Sequence, residues 1–140
     1  VHLAEGVKSV VNIPVAAGTQ IQDISVAEQV VAEGRADMVY MARALVADPE
    51  LPLKAQQGRL EDIRPCMNCC RCMSASDNPP VHCTVNGRMG REWKYPEERP
   101  AKENKRVLVV GGGPGGMEAA RIATLRGHRV TLCERNPILP

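Results

Sequence analysis

Apolar residues fall in short runs over the first sixty positions, thin out through the middle, and return as two dense runs near the end. Residues 10–17 form a largely apolar stretch closed by Gly18, the pattern of a buried parallel strand. Ser25 and Glu28 then have the S-x-x-E spacing of a capping box, which predicts a helix start. Val26, Ala27, Val30 and Val31 follow on one helical face, and Gly34 stops the helix. A second apolar run at 38–41 predicts the next strand. Asp48-Pro49 reads as N-cap and first helical residue, with that helix reaching Gln57 before Gly58.

Residues 61–104 break this rhythm. They hold five of the six cysteines and the charged stretch from Glu97 to Lys105, and read as a metal-organised loop followed by a solvated linker. Order returns with a strand at 106–110, a glycine turn, a helix over 115–126 capped by Gly127, and a strand at 129–133. Three segments are therefore expected: 1–60, 61–104 and 105–140. A doubly wound domain needs more than two strands and a parallel barrel needs eight, so both flanking segments read as parts of larger domains.

Composition narrows the classes. Hydrophobic content of 44% and charged content of 24% are ordinary for a globular protein. A net charge of +2, with Lys and Arg scattered, gives no nucleic-acid footprint. No apolar stretch approaches the roughly 20 residues of a membrane span, and no signal peptide is visible. With no Phe, two Tyr and one Trp, any core must be aliphatic. Clustered cysteines, two of them adjacent, suit a metal site in a reducing cytoplasm better than a secreted disulfide scaffold.

Cys66, Cys69, Cys72 and Cys83 have the form C-x2-C-x2-C-x10-C. Three thiolates at intervals of three let one loop wrap a cubane, and the remote fourth closes it. Structural zinc more often takes two separated C-x-x-C pairs, so iron–sulfur fits the spacing better, with zinc and disulfides as the alternatives. Cys70 reads as a small buried residue beside the site, His82 as a loop residue in solvent, and Cys133 as strand packing.

Gly111, Gly113 and Gly116 match G-x-G-x-x-G, after an apolar strand and at the start of a helix. That context makes the motif a dinucleotide fingerprint: a tight turn, close approach to a pyrophosphate, and close helix–strand packing. Glu134, at the end of the following strand, can hold a ribose hydroxyl pair, which suits FAD, NAD or ADP before NADP. The candidate nucleotide-binding residues are Gly111, Gly113, Pro114, Gly116, Glu134 and Arg135. Arg43, just after the 38–41 strand, reads alone as a surface arginine or as a phosphate ligand on a barrel loop.

The stretch 36–52 (ADMVYMARALVADPELP) resembles the end of the FMN-binding barrel in old yellow enzyme-like flavoproteins. The following DIRPCMNC and CTVN, at 62–69 and 83–86, resemble the multidomain branch that includes 2,4-dienoyl-CoA reductase and trimethylamine dehydrogenase. The resemblance runs from about Ile13 to Pro140. It implies an α/β fold: the C-terminal end of a (β/α)8 FMN barrel, a cysteine-rich iron–sulfur segment, and the first βαβ of a Rossmann-type FAD/NAD(P) domain. It implies a 4Fe–4S cluster on Cys66, Cys69, Cys72 and Cys83, and FMN phosphate contacts from Gly18, Thr19, Ala42 and Arg43. This chain reads Gly-Thr-Gln-Ile after position 17, where many members carry an Arg, and Gly87 where Pro is common. FAD is implied downstream, or ADP alone as in trimethylamine dehydrogenase-like members.

The implied activity is an electron relay. NAD(P)H reduces FAD, the cluster passes electrons singly to FMN, and FMN reduces an activated C=C bond of an enoyl or dienoyl thioester or enone. An amine dehydrogenase running electrons outward is the second possibility, and a zinc-stabilised dinucleotide module without catalysis the third. The family's proton donors lie on earlier barrel loops, so no catalytic residue is assigned. The remainder of a longer polypeptide is expected to complete both pockets.

Overall fold

The computed structural model describes residues 1–74, 81–95 and 99–137. Residues 75–80 of the cysteine loop and Glu97 and Glu98 of the charged stretch lie outside them. The chain is mixed α/β and forms two compact units, Val1–Gly90 and Arg91–Pro140.

The first unit runs α1 (His2–Lys8), β1 (Ala16–Ala17), α2 (Ile24–Ala32), β2 (Met38–Val39), α3 (Ala42–Ala47) and α4 (Leu51–Gln56). Short 3-10 turns follow at Leu60–Asp62 and Arg71–Met73. β1 and β2 are parallel, with Ala16 opposite Met38 and Ala17 opposite Val39. Asp37 fixes this register from outside: its carboxylate accepts the Val15 amide at 2.8 Å and the Lys8 ammonium at 2.5 Å. The core is aliphatic and small-residue rich, built from Ala17, Ile21, Ala27, Val30, Ala36, Met41, Ala44 and Leu51. Small side chains let the helices approach the two-stranded sheet closely.

Three local expectations are corrected. The first strand is two residues rather than eight, because only Ala16 and Ala17 find a partner; Val10 and Ile13 stay exposed. The cap of α2 is Asp23, in extended conformation, whose carboxylate accepts both the amide and the hydroxyl of Ser25 at 2.8 Å. Ser25 is thus the donor inside the first turn and not the cap. The helix expected from Asp48-Pro49 starts later, as α4 at Leu51 with Pro52 in its first turn, and Asp48 is instead the C-cap of α3, a helix that the apolar pattern does not predict. Gly34 and Gly58 do end helices, at φ 68° and 72°.

In the second unit, β3 (Arg106–Val110), α5 (Pro114–Leu125) and β4 (Arg129–Cys133) form a β-α-β whose strands are parallel in register from Arg106–Arg129 to Val110–Cys133. Both strands have the bounds that the apolar runs predict. Gly111, at φ 104°, makes the turn into α5. A Cβ at Gly116 would sit 1.9 Å from the Gly111 carbonyl oxygen, so only glycine lets the helix lie this close to the turn.

Candidate functional site

Two buried polar residues position the cysteine loop on the first unit. Asp48, only 1% exposed, sits where α3 ends. Its carboxylate accepts Lys54 Nζ at 2.7 Å, the Glu50 amide at 3.1 Å and the Arg64 amide at 2.9 Å. Lys54 also donates to the Asp62 carbonyl at 3.1 Å. The segment entering Cys66 is therefore tied to α3 and α4. Burial pushes the Asp48 carboxyl up, but the Lys54 ammonium and the Arg64 and Glu50 amides outweigh it and hold it below the usual carboxylate range. At the far end, Asn86, 3% exposed, donates to the Val46 carbonyl at 2.9 Å and accepts the Arg88 amide.

Between these anchors Cys66, Cys69, Cys72 and Cys83 line one recess, with Arg43, Val46, Met67, Cys70, Thr84 and Val85. The space it encloses is small, about 10 Å³. All six cysteines are unpaired thiols, so the disulfide alternative has no counterpart in the fold. Cys66, Cys72 and Cys83 are half-buried and Cys69 is exposed. Among the described residues, no group of three or more His, Cys, Asp or Glu side chains is drawn together as if around one metal ion.

Cys69 is polarised. Its sulfur lies 3.2 Å from the Thr84 hydroxyl oxygen and also meets the Arg71 amide, and the Thr84 contact first, then the amide, lowers its thiol pKa. Asn68 and Cys70 both take left-handed backbone, at φ 57° and 54°, which bends the loop sharply around Cys69. Asn68 pairs its side-chain amide with that of Gln22, so the loop is also fastened beside β1. Cys70 is exposed and not buried as expected; its sulfur accepts Arg43 Nη1 at 3.5 Å. Cys133 is likewise exposed, pointing to the open face of β4.

Arg43 is half-buried on the first turn of α3, directly after Ala42, and turns its guanidinium toward the thiol recess. Gly18 packs under Tyr40: a Cβ there would lie 1.9 Å from the ring. Thr19 and Gln20 follow in left-handed backbone, φ 67° and 61°, a conformation that β-branched Thr adopts only at a cost.

In the second unit Glu134 reaches back over the glycine turn. Its carboxylate accepts the Gly112 amide at 2.6 Å and the Asn136 amide at 2.8 Å, and these bonds, Asn136 first, lower its pKa. The acid and the glycine motif are thus in direct contact. Gly113 is the cap residue of α5 and Pro114 its first residue, while Arg135 is exposed beyond β4.

Sequence reasoning passed over Asp48 as an anchor, Lys54, Asn86 and Thr84. Thr84 stands next to Cys83, a position that could have marked it; nothing in the apolar pattern marks Asn86 as buried.

Residues 2–62 match the NADH:flavin oxidoreductase / NADH oxidase family, and residues 78–140 match the pyridine nucleotide-disulphide oxidoreductase family. The chain is 49% identical over 138 residues to an NADH oxidase of Thermoanaerobacter brockii, covering 96% of this chain and 21% of that protein. A 2-naphthoyl-CoA reductase structure superposes with a TM-score of 0.80 at 42% identity, covering 94% of this chain and 20% of that one. Histamine dehydrogenase from Rhizobium sp. 4-9 superposes with a TM-score of 0.83 at 35% identity, covering 98% of this chain and 21% of that one. The chain spans about a fifth of the length of these relatives. With both segments matched in this order and similarity running along nearly its whole length, the chain belongs to the old yellow enzyme-like flavin oxidoreductases of the 2,4-dienoyl-CoA reductase and trimethylamine dehydrogenase family.

Proposed function

We propose that this chain supplies the junction of an electron-transfer enzyme: the end of an FMN barrel, a 4Fe–4S site, and the start of a Rossmann-type FAD or ADP domain. The observation that carries the reading is the shared recess of Cys66, Cys69, Cys72 and Cys83, four unpaired thiols at the spacing of a cubane loop. An all-sulfur donor set suits iron–sulfur or zinc. The C-x2-C-x2-C spacing with a remote fourth cysteine, unlike two separated C-x-x-C pairs, favours the polyatomic cluster. When bound, the cluster exchanges single electrons, the flavins single electrons or pairs, and NAD(P)H a hydride.

The protein's own work is to hold these groups in range and to tune them. Asp48 and Asn86 fasten the two ends of the cysteine loop to α3 and its C-terminus, the helix that carries Arg43 and Ala42. Ligand loop and FMN phosphate site then share one rigid element. Arg43, which donates to the Cys70 sulfur here, would supply a cation to the phosphate, Ala42 its backbone, and Gly18 and Thr19 the neighbouring loop. In the second unit Gly111, Gly113, Pro114 and Gly116 shape the pyrophosphate cradle. Glu134, already ionised and aimed at the glycine turn, presents a carboxylate to a ribose diol; Arg135 lies beside it.

For the whole protein, reduction of an activated C=C bond is the leading reaction, supported by similarity to a reductase named for an aryl-CoA thioester. Amine oxidation is the second reading, supported by the likeness to histamine dehydrogenase. The test is anaerobic purification of the full-length protein with iron, acid-labile sulfide and flavin analysis. About four iron and four sulfide per chain are expected. A colourless protein with one zinc and no sulfide would overturn the reading. Stopped-flow reduction by NADH or NADPH, against reduction by amines, then separates the two enzyme classes.

A further inference from the structure

Cys69 is the most exposed of the four candidate ligands and the one whose sulfur meets two donors, the Arg71 amide and the Thr84 hydroxyl. Thr84 lies fifteen residues further along the chain, next to Cys83, so its contact with Cys69 joins the near and far parts of the loop. In a free thiol either atom of that 3.2 Å contact can donate. Once Cys69 binds iron its sulfur carries no proton, and the hydroxyl alone remains as donor.

We propose that Thr84 is a positioning residue that sets the reduction potential of the cluster by donating its hydroxyl to the Cys69 sulfur. The inference rests on the cluster reading above and deepens it. Adding an electron raises the negative charge on the ligand sulfurs, so a donor aimed at one of them stabilises the reduced form more than the oxidised form. The hydroxyl therefore raises the potential. Because Cys69 is exposed, water competes for its lone pairs; a donor supplied by the chain holds the potential steady where solvent alone would leave it variable.

The experiment uses the full-length holoprotein and its Thr84→Val, Thr84→Ala and Thr84→Ser variants. Each is assayed for iron and sulfide, then titrated potentiometrically with the reduced cluster followed by electron paramagnetic resonance. Val and Ala should lower the midpoint potential, shrinking the reduced fraction at fixed potential roughly tenfold, about 59 mV for one electron. Ser should stay near the parent. Unchanged potential in Val and Ala variants that keep full iron would overturn the role of Thr84 and leave the cluster reading intact. Loss of iron from both, with Ser fully loaded, would make the hydroxyl a requirement for assembly and also overturn it. Absence of iron and sulfide from the parent would instead sink the cluster reading itself.

Discussion

Asn86 donates its side-chain amide to the Val46 carbonyl at 2.9 Å from a position only 3% exposed to solvent. The bond reaches the C-terminal end of α3, where the last carbonyls of a helix lack partners within it. A residue beyond Cys83 thus completes a helix that begins before Cys66.

Asn86→Ala should cost about 1–3 kcal/mol, because the part-buried Val46 carbonyl and the Arg88 amide both lose their partner. Denaturant unfolding of the full-length protein would read this, and cofactor-loaded samples should release iron faster. Unchanged stability and iron retention would mean that the exit of the loop is held elsewhere.

Asp48 gives a pH signature. Its pKa is depressed in the folded state, so its contribution is complete above the unfolded value of about 3.9 and disappears as pH falls through the folded value. Stability should fall more steeply below about pH 4 in the parent than in an Asp48→Asn, Lys54→Met double variant. Asp48→Ala alone leaves the Lys54 ammonium buried without its carboxylate and should cost about 3–5 kcal/mol. Urea midpoints across pH 3 to 7 distinguish these cases.

Two glycines should respond differently to an added methyl group. At Gly116 the obstacle is the Gly111 backbone, which cannot move without opening the turn, so Gly116→Ala should destabilise by about 1–3 kcal/mol and abolish nucleotide binding. At Gly18 the obstacle is the Tyr40 ring, 55% exposed and able to rotate. Gly18→Ala should be milder, and Tyr40→Ala should rescue it. Equal, unrescued losses at the two sites would contradict this account.

Cys69→Ser should bleach the visible absorption of the loaded protein, whereas Cys70→Ser should leave it largely intact. The Cys70 sulfur meets Arg43 and the Asn68 carbonyl. The opposite outcome would shift the ligand register by one residue.

How far the sequence reaches depends on whether a segment decides its own structure. β3 and β4 each open on an Arg, continue in mostly apolar residues and stop at glycine or an acid, and their bounds follow from that alone. Residues 10–17 are similarly apolar, yet a strand exists only where another strand answers, and β2 answers at two positions. At α2 two good caps stand two residues apart, and the extended backbone of Asp23 decides between them. The thiol set was legible because its spacing is a covalent fact of the chain. The Thr84 hydroxyl that meets Cys69 and the Asn86 amide that holds the Val46 carbonyl were not, because both act through neighbours that only the folded chain supplies.

The double tether has a kinetic meaning. With Arg64 fastened at one side and Asn86 at the other, the sulfur-bearing segment is a closed loop of about twenty residues before any inorganic guest arrives. Closing such a loop from free chain costs on the order of 3 kcal/mol in entropy. Here folding of the surrounding helices meets that cost in advance, so incoming iron would meet a half-organised nest whose remaining task is to draw in four side chains.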